Sequence, residues 1–213
     1  MNRSVATARP AEPAIAGVIR RGLDLIGAIG GLIAVAPVLA VAAHRIRRED
    51  GGPILYRRRV LGVGGREFDA YKLRTMRVDA DTWLARHPDL WAEYQKNIKL
   101  HEDPRITRIG GTLRRLSIDE LPQLVNVLKG EMSLVGPRMI HPSELARYGD
   151  FGPERLTVRP GITGLWQVSG RQEVDYADRI ELDRRYLRDR SLALDLKILA
   201  GTLPAVIRRR GAY

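Results

Sequence analysis

The chain has 213 residues, 44% of them hydrophobic, which is enough for one domain with a buried core. Only 6% are aromatic, so that core must be aliphatic, and the absence of cysteine excludes disulfides and thiolate metal sites. A net charge of +11 favours polyanionic partners: nucleic acid, an anionic lipid surface or a phosphorylated substrate.

Residues 1–18 are rich in Ala, Pro and other small residues and read as a mobile leader. From Leu25 to Ala43 there is no charged residue. At 1.5 Å per residue this run reaches about 28 Å, close to the hydrocarbon thickness of a bilayer. Arg20 and Arg21 precede it, and Arg45, Arg47 and Arg48 follow it. Cationic flanks stay on the cytoplasmic side, so a simple crossing violates that rule at one end. Pro37 lies inside the run and removes a backbone donor, which favours a kink. A helix over 19–48 that enters, bends at Ala36-Pro37 and leaves on the same face resolves the conflict. A plain transmembrane anchor, a cleaved signal peptide and a buried soluble helix are the competing readings. The run is longer than a signal h-region and apolar on all sides, unlike a surface helix.

Residues 49–213 form the remaining domain. Gly51-Gly52-Pro53 is a turn, and Ile54-Leu55-Tyr56 and Phe68–Leu73 are short strands that make a hairpin around Gly62-x-Gly64-Gly65. The glycine group is not a dinucleotide fingerprint, because no βαβ unit surrounds it. Trp83, Leu84, His87, Leu90, Trp91 and Tyr94 have helical spacing and predict the packed face of a helix over 79–100. A helix over 117–129 is predicted from the Ser117/Glu120 capping-box pattern, Pro122 in the first turn and Gly130 at the end. Residues 153–172 are rich in Gly and Pro and read as a structured loop. Asp178–Arg190 reads as a charged helix. Leu192–Ile207, followed by three arginines, fits either a helix lying on a membrane surface or a core-packed one. The fold class is α+β and mainly helical, with a re-entrant helix-break-helix anchor, a small β-hairpin and interfacial amphipathic helices.

The four histidines, His44, His87, His101 and His141, show no metal-ligand spacing, so any metal would be a hard cation held by oxygen. Three segments place cations beside turns or helix starts, which suits phosphate: Lys72 to Met76, Leu113 to Gln123, and Ser133 to Arg138. Asp119 and Glu120 fall in the first turn of a helix, where the dipole favours negative charge. Spacing alone leaves open whether they are only capping and dipole partners. The neighbouring cations favour an ionised Asp119, and a positioned carboxylate can attack phosphorus. Glu120 can hold a divalent cation.

These segments also carry a resemblance. RRGLDLIGAIGG, GGPILYRRRVLGVGGREFDAYKLRTM, DPRITRIGGTLRRLSIDELPQLVNVLKGEMSLVGPR and RPGITGLWQVSGR occur in the order found in the bacterial sugar transferase family. These are the monotopic polyprenyl-phosphate phosphoglycosyl transferases that begin capsule, exopolysaccharide and O-antigen synthesis, and the chain resembles their minimal catalytic unit from about Arg20 to Ala212. The resemblance implies a ping-pong reaction at the cytoplasmic face of the bacterial inner membrane. Asp119 would attack a UDP-sugar and release UMP, and the phosphosugar would then pass to undecaprenyl phosphate. Glu120 would bind Mg²⁺. Lys72, Arg74, Arg114, Arg138, Gln167 and Arg171 would bind nucleotide or phosphate, and Pro37 would break the re-entrant helix. Three positions depart from the family pattern: Ala36 stands where Ser is frequent, Met139 where Pro is usual and Leu73 where Phe is usual. The bend therefore rests more on Pro37.

Two rival classes are a basic module for nucleic acid or anionic lipid and a scaffold with a degenerate site. The cations alternate with motifs instead of forming one stripe, so nucleic acid is not expected as a partner. The intact Asp119-Glu120 pair speaks against the scaffold. The sequence leaves the sugar undetermined and leaves room for a homo-oligomer.

Overall fold

The computed structural model describes residues 14–97, 100, 102–170 and 175–207. Its first element is one helix, α1, Ala14–Asp50, with Pro37 inside it. Residues 14–18 are thus helical where the sequence predicts the end of a leader, and the rest of that leader lies outside the described residues. The expected break is likewise absent from the helical assignment, which runs through Pro37. By length and composition α1 can cross a membrane, with a mean hydropathy of 2.4 in its apolar stretch.

The two faces of α1 differ. Ile15, Val18, Ile19, Leu23, Ile26, Ile29, Ile33, Val38 and Val41 are exposed. The opposite face packs on the domain along the helix. Ala28, Leu32 and Val35 join one core cluster, and Leu39, Ala42 and Ile46 join another. Polar contacts fix the same face. Arg20 Nε donates to Asp195 at 2.6 Å. Asp24 accepts from Ser133 Oγ at 2.9 Å and Leu134 N at 2.8 Å. Arg21 donates to the carbonyls of Val127 (2.6 Å) and Leu128 (2.9 Å). At the far end Glu49 accepts from the Arg108 N–H at 2.9 Å.

Strands β1 (Leu55–Leu61) and β2 (Glu67–Leu73) form the expected antiparallel hairpin, with Leu55 opposite Leu73 and Leu61 opposite Glu67. Val60, Phe68 and Ala70 turn inward against α1 and α5 (Leu124–Lys129). The single helix expected over 79–100 is two: α2 (Ala80–Ala85) and α3 (Pro88–Asn97). Pro88 disfavours helical geometry at His87 and divides them. Leu84 is buried, whereas Trp91 is exposed, so only part of the predicted face is packed.

Helix α4 (Arg108–Arg115) is capped by the Thr107 hydroxyl, which accepts from Gly110 N. The predicted helix over 117–129 is corrected: Ile118–Gln123 is a 3₁₀ turn, and α5 follows it. Ser117 sits at φ 54° and makes no capping hydrogen bond. Gly130 ends α5 in the left-handed region at φ 80°, as expected.

The Gly/Pro-rich segment holds a strand that the sequence pattern does not announce. β4 (Gly161–Thr163) runs parallel to β3 (Ser133–Val135), with Ser133 opposite Gly161 and Val135 opposite Thr163. A 3₁₀ segment, Pro142–Phe151, and α6 (Gly152–Arg155) come between them. Helices α7 (Leu165–Val168), α8 (Tyr176–Asp189) and α9 (Leu192–Ile207) complete the described chain. Tyr148, Phe151, Tyr186, Leu187 and Ile198 form the core between them. Leu196 and Leu203 of α9 are exposed while Ile198 and Asp195 are buried, so α9 shows both a packed face and an apolar open one.

Gly136 lies where β3 and β4 touch. A Cβ there would stand 2.6 Å from Arg159 O and 2.8 Å from Gly161 N. Gly136→Ala is expected to destabilise the protein by about 1–3 kcal/mol through overpacking. Thermal unfolding of the detergent-solubilised variant measures this, and an unchanged midpoint would contradict the close packing.

Candidate active site

Three segments far apart in sequence meet at Glu120. Lys72 near the end of β2 donates to Glu120 Oε1 at 2.7 Å. Arg138, just past the Gly136-Pro137 turn, donates to the same oxygen at 3.0 Å. Asp119 Oδ2 lies 3.8 Å from Lys72 Nζ. The 3₁₀ turn presents both carboxylates because Ser117 reverses the chain with its left-handed backbone at the end of α4. This geometry replaces the predicted capping box: the Glu120 carboxylate reaches across to cations and not back to Ser117.

The electrostatics separate the two acids. Burial opposes ionisation of Glu120, but Arg138 and Lys72 outweigh it and hold its carboxyl well below the usual range. Burial pushes the Asp119 carboxyl up; Lys72, Arg114 and Arg138 act against this, and the Glu120 charge adds to it. The cations expected around Asp119 are present, yet the close ion pairs belong to Glu120. Glu120 raises the pKa of Arg138 above its ordinary value. Burial lowers that of Arg114, which the charges of Asp119 and Asp103 partly counter.

Not every predicted residue joins the cluster. Arg114 Nε donates to Thr75 Oγ1 at 2.8 Å, close enough for its charge to act on Asp119. Arg74 is engaged outside the cluster. Its guanidinium is buried and holds Asp50, the Pro53 carbonyl (2.6 Å) and the Met76 carbonyl (3.0 Å), tying the end of α1 to the exit of β2. Those bonds make it a structural clamp between the two segments. Gln167 is buried in α7, with Nε2 3.4 Å from Ile162 O and no partner for Oε1 among the described residues. Arg171 lies outside the described residues. Pro37 lies within α1, away from the charged cluster in sequence and chemistry.

Other charged groups near the cluster escaped the sequence reading. Trp166 in α7 has the Arg138 guanidinium 5.3 Å from its ring centroid and that of Arg179 at 4.8 Å. Asp183 accepts from the Arg138 backbone N–H and pairs with Arg155 at 3.7 Å, while burial pushes its carboxyl up to about 7. A lone Trp in a Gly/Pro-rich stretch and charges spaced along α8 were the only signals available.

Adjacent carboxylates with converging cations, in a chain that carries a long apolar helix, suit an enzyme that acts on anionic substrates. Comparison with known proteins agrees. Residues 15–209 match the bacterial sugar transferase family. The exopolysaccharide production protein ExoY of Sinorhizobium fredii is 42% identical over 203 residues, 93% of this chain and 90% of its own length. The undecaprenyl-phosphate galactose phosphotransferase of Salmonella typhimurium is 44% identical over 199 residues, 92% of this chain but 42% of its own. The undecaprenyl-phosphate glucose phosphotransferase of Komagataeibacter xylinus is 40% identical over 206 residues, 91% of this chain and 37% of its own. The chain therefore belongs to the bacterial sugar transferase family and is an enzyme of the phosphoglycosyl transferase class.

The opposed pKa shifts give opposed stability effects. The depressed Glu120 carboxyl contributes stability that is present above its unfolded value of 4.5 and is lost as pH falls towards its folded value. The raised Asp119 carboxyl costs stability above its folded value, and that cost disappears below its unfolded value of 3.8. At pH 7, Glu120→Gln is expected to lower stability by about 3 kcal/mol, the scale of removing one partner from a buried pair. Asp119→Asn is expected to raise it. Both differences should shrink below pH 4, as followed by chemical denaturation; destabilisation by Asp119→Asn at pH 7 would overturn the assignment.

Proposed function

We propose that this enzyme transfers a sugar 1-phosphate from a UDP-sugar to undecaprenyl phosphate and releases UMP, in the first membrane step of a bacterial polysaccharide or glycoconjugate. The observation that carries the reading is the division of labour at the cluster. Glu120 engages Lys72 and Arg138, while Asp119, one residue away, remains buried with its nearest cation among the described residues at 3.8 Å. A carboxylate without a short ion pair keeps its lone pairs available for attack.

In the first displacement Asp119 Oδ attacks the β-phosphorus. The bond between that phosphorus and the oxygen bridging to the α-phosphate breaks, and UMP leaves. In the second, an oxygen of the lipid phosphate attacks the same phosphorus and the Asp119 O–P bond breaks. Lys72 and Arg138 hold phosphoryl oxygens and offset the charge gathered by the diphosphate. Arg114, whose charge also acts on Asp119, adds to this. Two displacements allow a soluble donor and a lipid acceptor to use one nucleophile in turn. The printed names of the galactose and glucose phosphotransferase relatives support a sugar donor and a lipid-phosphate acceptor.

The family resemblance brings Mg²⁺, and the donor set fits it. Both Glu120 hydrogen bonds fall on Oε1, and Mg²⁺ uses one or two carboxylates completed by substrate phosphate and water. Among the described residues no three His, Asp or Glu side chains gather as a cage, so substrate oxygens must complete the coordination. When bound, the ion supplies neutralisation of the diphosphate charge.

The packing of α1 supports a one-sided membrane attachment. Its contacts with the domain recur from Arg20 to Glu49 on one face. A straight crossing would draw that domain into the bilayer. A helix that re-enters at Pro37, with the catalytic domain at the cytoplasmic face of the bacterial inner membrane, keeps the domain in water and its exposed aliphatic face in lipid.

Incubation with Mg²⁺, undecaprenyl phosphate and a panel of UDP-sugars is expected to release UMP from one or a few of them. Asp119→Asn should reduce this by at least about a thousandfold, and chelation of Mg²⁺ should stop it until Mg²⁺ is restored. Full activity in Asp119→Asn would remove it as nucleophile. The natural absence of cysteine permits a clean topology test. Cysteines at Val18 and His44 should both label from the cytoplasmic side; a periplasmic His44 position would exclude re-entry.

A further inference from the structure

The end of α1 carries a second cationic cluster. Arg45, Arg48 and Glu49 of α1 and Arg108, Ile109 and Thr112 of α4 line an open groove of about 480 Å³. None of the residues that meet at Glu120 lines it, and Arg114, whose charge acts on Asp119, stands in the last turn of α4 while Arg108 stands in its first.

The groove is short of anions. Among the described residues the guanidinium groups of Arg45, Arg48 and Arg108 make no hydrogen bond or ion pair. Glu49 is the one carboxylate among the lining residues, and its Oε1 already accepts from the Arg108 backbone N–H at 2.9 Å. A cation in the last turn of a helix complements the dipole, which accounts for Arg48. It does not account for Arg108. That residue opens α4, whose first turn holds no acid, so its charge adds to the positive end of the dipole. Three cations and a helix start, set against one carboxylate, leave the groove electropositive and suited to an anion.

The course of α1 selects the source of that anion. Val38, Val41, Arg45 and Arg48 follow one another at intervals of three, four and three residues, so they share one face of the helix. Val38 and Val41 are exposed, and the open aliphatic surface of α1 therefore runs directly into the two arginines. Arg45 stands about 6 Å beyond Val41 along the axis, the depth at which headgroups border the hydrocarbon of a bilayer. An anion at that depth, attached to acyl chains that lie along Val38 and Val41, is a phospholipid phosphate. A nucleotide is disfavoured, because no aromatic side chain among the described residues lines the groove for a base to stack on.

We propose that Arg45, Arg48 and Arg108 form a headgroup site for an anionic phospholipid, with the phosphate held by the guanidinium groups and the acyl chains laid on the aliphatic face of α1. The site is independent of the sugar-transfer reaction and needs only that the exposed face of α1 lies in lipid. Glu49 contributes by tying the start of α4 to α1, so that Arg108 lines the same groove as the two arginines of the helix. A headgroup held across this junction sets the depth at which the junction rides in the bilayer.

The test uses the full chain in dodecyl maltoside micelles and native mass spectrometry. The probes are dioleoyl phosphatidylglycerol and dioleoyl phosphatidylcholine, with UMP, farnesyl phosphate and inorganic phosphate as competitors. Wild type should retain one phosphatidylglycerol at least about fivefold more tightly than phosphatidylcholine, the scale of one cation beside an anionic lipid. Arg45→Gln, Arg48→Gln and Arg108→Gln should each weaken phosphatidylglycerol about fivefold and leave phosphatidylcholine unchanged. Arg45→Lys and Arg108→Lys should recover part of the loss. Arg47→Gln is the control, since Arg47 is exposed in the last turn of α1 but does not line the groove. It should weaken phosphatidylglycerol less than about twofold, as expected of a charge outside the site. These arginines are all exposed, so the variants should fold, with unchanged thermal midpoints as the check. An equal loss in Arg47→Gln would reduce the effect to diffuse surface charge and overturn the site. Equal retention of the two phospholipids by wild type would do the same. Displacement of phosphatidylglycerol by equimolar UMP, farnesyl phosphate or inorganic phosphate would give the groove to a substrate or a free anion and overturn the phospholipid.

Discussion

One long aliphatic helix must cover one face with protein and leave the other to lipid, and most of the architecture answers that demand. Two of the three core clusters are built on α1. Hydrophobic contact alone would let the helix slide, because its apolar residues are nearly interchangeable. Buried polar contacts set the register. Asp24 takes the Ser133 hydroxyl and the Leu134 N–H, Arg21 takes two carbonyls near the end of α5, and Arg20 takes Asp195. Each would leave a buried charge or orphaned backbone group if shifted by a turn.

The same contacts reach the site. Asp24 grips β3, and β3 leads through Gly136-Pro137 to Arg138. Gly136 and Gly161 are packed too closely for a side chain, so the parallel β3–β4 pair defines where Arg138 departs. Asp50 meanwhile fixes Arg74 at the exit of β2, two residues after Lys72. Both cations that meet Glu120 are therefore placed by segments anchored to α1. The charged cluster and the long apolar helix form one mechanical unit.

Within that unit the two adjacent acids behave oppositely for a simple reason. Two cations close on Glu120 offset its desolvation, whereas Asp119 undergoes burial with weaker compensation. A site that stabilised both carboxylates equally would leave neither reactive. The cost carried by Asp119 is the kind of local conflict expected at functional positions in an otherwise consistent fold.

The sequence by itself determined the long apolar helix with cationic flanks, the hairpin, the Gly130 stop and the chemistry-bearing segments around Lys72, Asp119-Glu120 and Arg138. These depend on local composition and spacing, which a chain carries without its fold. It misjudged what depends on distant partners. The capping box failed because Glu120 found stronger partners in Lys72 and Arg138, 48 and 18 residues away. Nothing in the local sequence announced that Arg74 is held by Asp50. The β3–β4 pair was hidden because a three-residue strand rich in glycine has no periodicity to detect. Only the tertiary structure decided which cation meets which acid and which arginines stand over the Trp166 ring, because an ion pair or ring contact forms through space between residues whose separation along the chain carries no such information.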